Sequence, residues 1–139
     1  KSNKNLLNLK DLRGMIKALR HEETIWYAPD HDYGRKNAVF VPFFAVPDAC
    51  TTTGSYYLLK SSQNSKVIPF APLRNKDGSG YTVSISAPVD FTDLQDETAI
   101  AARMNQIVEK EIMKGISQYM WLHRRFKTRP DENTPSLYD

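Results

Sequence analysis

The stretch TIWYAPDHDYG, residues 24–34, decides how the chain is read. Its first part, Thr24-Ile25-Trp26-Tyr27-Ala28, is rich in β-formers and stops at Pro29, which predicts a buried strand. Its second part, Asp30 to Gly34, places two carboxylates, an imidazole and a phenol directly after that strand. Loops at the C-terminal ends of strands are where α/β proteins hold ligands. Asp30, His31 and Asp32 could orient a hydroxyl, transfer a proton or bind a metal. The structural alternative is a turn in which an aspartate caps backbone N–H groups.

The neighbouring segments extend the pattern. Leu9, Leu12, Met15, Ile16 and Leu19 recur at helical spacing and predict an amphipathic helix over 9–20 with Asn8 as its N-cap. Downstream, Val39-Phe40-Val41 predicts a strand that Pro42 keeps short or at an edge. Pro47-Asp48 opens a predicted helix that runs through Lys60. Residues 66–87 read as a hairpin about the turn Asn75–Gly80, because Tyr81, Val83 and Ile85 alternate with polar residues. Ile100, Met104, Ile107, Val108 and Ile112 mark a long helix ending near Gly115. After Pro130 the tail is polar and expected to be mobile. Helices alternating with strands predict an α/β fold with partly parallel pairing.

Composition bounds the function. The chain has 139 residues, one domain's worth. A TIM barrel, which needs roughly 250 residues, is excluded. Hydrophobic residues make up 40% and charged residues 25%, which separates the chain from disordered sequences. The net charge is +3, concentrated at the ends. Residues 1–20 are basic, residues 21–120 mildly acidic, and Arg124, Arg125, Lys127 and Arg129 form a second basic cluster. Such ends suit an anionic partner. The single cysteine, Cys50, excludes an internal disulfide. The longest apolar run, Ala38–Pro47, is too short for a membrane span. No nucleophile elbow, phosphate-binding P-loop or dinucleotide loop occurs. Trp121, Tyr119 and Phe126 interleave with the basic cluster, and Arg74 follows a predicted strand, so both regions are candidate anion contacts. On residues alone, two readings stay open: part of an enzyme, or a non-enzymatic module binding phospholipid head groups or nucleic acid.

The blocks WYAPDHDYG (26–34) and QYMWLHRRFKTRP (118–130) resemble the lipid A biosynthesis late acyltransferases of Gram-negative bacteria. LRGMIKAL (12–19), VFVPFFAV (39–46), TTTGSYYL (51–58) and VIPFAPLR (67–74) resemble family blocks in the same order. The likeness covers nearly the whole chain. Ile116-Ser117 stand where the family usually has Pro-Glu, and Glu22-Glu23 where it tends to have a Gly.

The resemblance implies the C-terminal portion of a glycerol-phosphate-acyltransferase-like α/β domain, a mixed sheet flanked by helices. It implies transfer of a fatty acyl chain, lauroyl from the branch it is most similar to. The donor would be acyl carrier protein and the acceptor a Kdo-bearing lipid A precursor, at the cytoplasmic face of the inner membrane. No cofactor, metal or nucleic-acid partner is implied. The family mechanism uses a His separated from an acid by four or five intervening residues. Here the positions after His21 are Trp26 and Tyr27, after His31 Lys36 and Asn37, and after His123 Thr128 and Arg129. None is an acid, so no catalytic residue is assigned and the chain alone is expected to be inactive. Asp30, His31, Asp32, Tyr33, Gly34 and Arg74 carry over as substrate-binding candidates. Arg124, Arg125 and Lys127 would suit lipid phosphates or the acidic carrier protein.

Overall fold

A computed structural model describes residues 11–62 and 64–138. The first element among the described residues is α1 (Leu12–Arg20), and residues 9 and 10 of the predicted helix lie outside them. Asn8 lies outside the described residues. The cap is Asp11, whose carboxylate accepts the Gly14 N–H at 2.8 Å. Lys17 and Arg20 sit in the last turn, where they complement the helix dipole. Met15 is the buried residue of its apolar face, which packs on α2.

Residues 24–28 form no strand. They run without a ladder partner, and Trp26 is exposed. The first ladder is instead β1 (Ala38–Phe43) against β2 (Val46–Thr52), antiparallel. β2 occupies the first half of the segment expected to be helical. The helix α2 begins only at Gly54 and runs to Ser61. The missed turn is Phe44-Ala45. It carries no Gly, Asn or Asp, yet Phe44 takes a left-handed φ of 51°. Glu109 offsets that conformation by accepting the Phe44 N–H at 2.6 Å. Pro42 lies within β1, where the register shifts between Val41 and Phe43, so the ladder tolerates it at a bulge.

The second ladder is β3 (Phe70–Arg74) with β4 (Tyr81–Ile85), the expected hairpin, extended by an isolated bridge between Val67 and Val89. Both sheets are antiparallel, which corrects the expectation of partly parallel pairing. Two-residue and six-residue turns join the strand pairs, so no crossover is needed. The α/β class holds.

The long helix α3 (Glu97–Met113) joins the two halves. Asp96 caps it by accepting the Ala99 N–H at 2.9 Å. One end of α3 buries Ile100 and Met104 with Phe91. The other end buries Ile112 with Phe43 and Ala49. Asn105 lies between these clusters. Its amide donates to the Pro42 carbonyl at 2.8 Å and to Thr51 Oγ1 at 3.0 Å, fastening α3 across the β1–β2 hairpin. Two short 3-10 turns, Ile116–Gln118 and Trp121–His123, carry the chain back over the 29–34 loop.

Candidate functional site

The described residues enclose an apolar cleft of about 630 Å³. That is within the usual range for small-molecule sites. The unpaired segment 25–29 forms one wall. Leu58 and Leu59 of α2, residues 67–73, and Met104, Ile107, Val108 and Ile112 of α3 form the others. Trp26, Ile68, Phe70 and Met120 line it yet are exposed, so the apolar surface continues onto the rim.

Four polar side chains meet in this cleft: Asp30 and His31 from the loop, Tyr119 and His123 from the C-terminal segment. Tyr119 Oη lies 3.1 Å from Asp30 Oδ2 and 2.7 Å from His123 Nε2. The His31 and His123 rings stack with centroids 4.8 Å apart. Burial pushes the Tyr119 phenol well above its ordinary value, and the adjacent Asp30 charge adds to that. Tyr119 therefore stays protonated across physiological pH.

Asp32 turns the other way. It is 6% exposed and accepts three hydrogen bonds: from the Gly34 N–H (2.9 Å), the Thr128 N–H (2.8 Å) and Thr128 Oγ1 (2.8 Å). The turn-capping alternative describes Asp32, and Gly34 makes the turn possible with φ 87°. Asp30 and Asp32 thus do not converge on one ligand. Among the described residues no three His, Cys, Asp or Glu side chains are grouped to hold a metal ion.

The basic candidates divide. Arg125 is 1% exposed, so it does not face outward as a phosphate grip. It donates to the Cys50 carbonyl at 2.7 Å and to Thr51 Oγ1 at 3.1 Å, and its guanidinium lies 4.6 Å from the Phe43 ring centroid. Arg129 pairs with Asp48 at 2.9 Å. Arg124 and Lys127 are exposed, with Arg124 over the Tyr138 ring. Tyr33 is exposed beside the loop and stacks on His31. Arg74 is exposed at the end of β3, outside the cleft lining; its backbone is clasped by the Gln118 amide.

Cys50 sits under the loop, where its thiol reaches the Gly34 carbonyl at 3.4 Å. Burial, then the neighbouring Asp32, pushes the thiol up to about 11. At pH 8 the folded chain therefore holds far less thiolate than the unfolded chain. Alkylation by iodoacetamide is expected to be roughly a hundredfold slower in buffer than in denaturant. Comparable rates would show that the loop opens freely.

Sequence reasoning missed Tyr119 and His123 as site residues. Their four-residue separation is visible, but the contact with Asp30 spans 89 positions and no local pattern announces it.

Comparison with known proteins gives the class to which a chain with this cleft and polar cluster belongs. The family model of the bacterial lipid A biosynthesis acyltransferase matches residues 1–128, and the chain belongs to that family. It is 93% identical over all 139 residues to a lipid A biosynthesis acyltransferase of Haemophilus influenzae (strain ATCC 51907 / DSM 11121 / KW20 / Rd), covering 45% of that protein. It is 54% identical over 138 residues, 99% of this chain, to the lipid A biosynthesis lauroyltransferase of Escherichia coli (strain K12), covering 44% of it. The palmitoleoyltransferase of the same strain is 45% identical over 94% of this chain and 42% of its own length. The chain thus spans less than half the length of these relatives. No solved structure matches it. Among the described residues no helix is long and apolar enough to cross a membrane.

Proposed function

We propose that this chain contributes the acyl-chain cleft and acceptor-facing rim of an enzyme that moves a fatty acyl group from acyl carrier protein to a Kdo-bearing lipid A precursor. Lauroyl is the proposed acyl group, supported by the likeness to the Escherichia coli lauroyltransferase. The observation that carries the reading is the apolar cleft with Asp30, His31, Tyr119 and His123 in its lining. The place of action is the cytoplasmic face of the inner membrane, in a glycerol-phosphate-acyltransferase-like domain. Tyr33, Gly34, Arg74, Arg124 and Lys127 are the proposed outward contacts to acceptor phosphates or the acidic carrier. Asp32 ties the loop to Thr128, and Arg125 is buried against β1 and β2.

The 139 residues alone do not turn over, because none of their histidines has an acid at the required spacing. A transfer assay with lauroyl-acyl carrier protein checks this: product above a protein-free blank would refute it.

The cleft itself is tested by binding a fluorescent dodecanoyl probe. Each buried methylene contributes about 0.8 kcal/mol, so shortening the chain by two carbons is expected to weaken binding about tenfold. Ile68→Asp places a charge on the exposed wall of the cleft, away from the buried clusters, and should weaken the probe by at least about tenfold. A probe insensitive to chain length and to this substitution would be bound elsewhere.

A further inference from the structure

The β3–β4 hairpin is inverted. A sheet with one solvated face turns its apolar side chains inward and its polar ones outward. Here the register puts Phe70 with Ile85, Pro72 with Val83 and Arg74 with Tyr81 on one face, and all six are exposed. Tyr81 is 73% exposed, Ile85 70% and Val83 55%. The alternate positions face the body of the protein. Leu73 packs so closely on Gly115 that a Cβ there would come within 2.6 Å of it. Lys114 Nζ donates to Ser84 Oγ at 3.1 Å and to Ser86 Oγ at 2.8 Å, and the Ser86 hydroxyl donates to Glu111 at 2.7 Å. Gln118 clasps the Arg74 N–H and carbonyl at 2.8 and 3.1 Å. A slip of one residue would break these ties, so the apolar face is held outward. A contiguous apolar face held in water marks a contact surface.

We propose that this face lies flat on the leaflet of an anionic bilayer. It fits an interface rather than a dry protein core, because Arg74 and the Tyr81 hydroxyl pair at its turn end, where they reach head groups. Residues 66–86 carry Lys66, Arg74 and Lys76 against one acid, Asp77, which complements anionic lipid. Phe70 and Pro72 also line the cleft, with the exposed Ile68 beside them, so the face continues into the cleft rim. An acyl chain thereby passes from leaflet to cleft without crossing water. The choice of a bilayer over an apolar protein surface rests on the cleft being an acyl-chain site.

The test places a polarity-sensitive dye on a cysteine at either face, as Val83→Cys or Thr82→Cys; the native thiol, Cys50, is buried. With vesicles of phosphatidylcholine and phosphatidylglycerol, the dye at 83 should shift to the blue and escape quenching by iodide. The dye at 82 should remain quenched. Ile85→Ser should weaken vesicle binding roughly tenfold. Leu122→Ser, at an exposed apolar position outside the hairpin, should leave it unchanged. Omitting phosphatidylglycerol should weaken it at least about tenfold. A dye at 83 that stays quenched, or equal shielding at 82, overturns the contact. Shielding at 83 before vesicles are added would mean that a second copy covers the face. Shielding at the aligned position of the longer Haemophilus influenzae relative in lipid-free solution would mean that the rest of that protein covers it. Either result overturns the bilayer contact. Failure of the dodecanoyl probe with shielding at 83 intact counts against the acyl-chain cleft and leaves the membrane contact standing on the dye alone. Probe binding with a quenched dye does the reverse.

Discussion

Arg125→Ala is expected to destabilise the fold by about 3 kcal/mol, while Arg125→Met should cost about 1 kcal/mol or less. Alanine leaves a large cavity over Phe43 and strips a donor from the Cys50 carbonyl, while Thr51 Oγ1 loses one donor and keeps the Asn105 amide. The cavity alone is worth about 2–5 kcal/mol, and a buried acceptor that loses its donor about 1–3 kcal/mol. Against this, burial draws the Arg125 pKa down, because desolvation disfavours the guanidinium charge. Removing an unpaired buried charge returns several kcal/mol, roughly cancelling the lost hydrogen bonds. Methionine refills most of the volume and carries no charge, so it separates the two contributions. Urea midpoints for the two variants measure the difference. Equal damage from both would mean that the guanidinium donors, rather than the volume they fill, carry the loss.

Burial of Arg125 also shows where the sequence was legible and where it was not. The helix α3 and the β3–β4 hairpin followed from local patterns: 3.6-residue and two-residue apolar spacing, and a Gly-rich turn. Such patterns arise when an element buries one face and needs no distant help. The β1–β2 hairpin was misread because its turn, Phe44-Ala45, depends on Glu109, a side chain 65 positions away. The segment 24–28 was misread for the converse reason. Its β-formers do express an apolar preference, but a strand requires a partner, and among the described residues the segment lines the cleft instead.

The site was half legible. The density of polar groups in 30–34 marked the loop, but the turn at 29–31 sends the two carboxylates to different tasks. Asp30 meets Tyr119 in the cleft, and Asp32 is consumed by Thr128. The basic run 124–129 was likewise read as one surface, whereas Arg125 and Arg129 serve Cys50, Thr51 and Asp48. Composition reports charge; only packing reports which charges remain outside.

Asp32→Ala should be the most damaging single change in the loop, at about 4 kcal/mol. Three donors lose their acceptor at once: the Gly34 N–H, the Thr128 N–H and the Thr128 hydroxyl. Buried donors left unpaired cost about 1–3 kcal/mol each, although Thr128 can rotate toward solvent and recover part of its share. Asp32→Asn preserves the volume but offers one carbonyl oxygen where the carboxylate offered two, so about 2 kcal/mol is expected. Asp30→Asn provides the contrast. Asp30 accepts one hydrogen bond, from Tyr119, at the edge of the cleft, so its replacement should cost under about 1 kcal/mol. Thermal melts of the three variants order these losses. If Asp30→Asn proved as damaging as Asp32→Ala, the strut joining the loop to the C-terminal segment would run through Tyr119. The division between a supporting aspartate and a ligand-facing one would then be wrong. With the expected order, Asp32 fixes the distance between the loop and Thr128, and Tyr119 and His123, a few residues before it, are brought to Asp30 by the same tether.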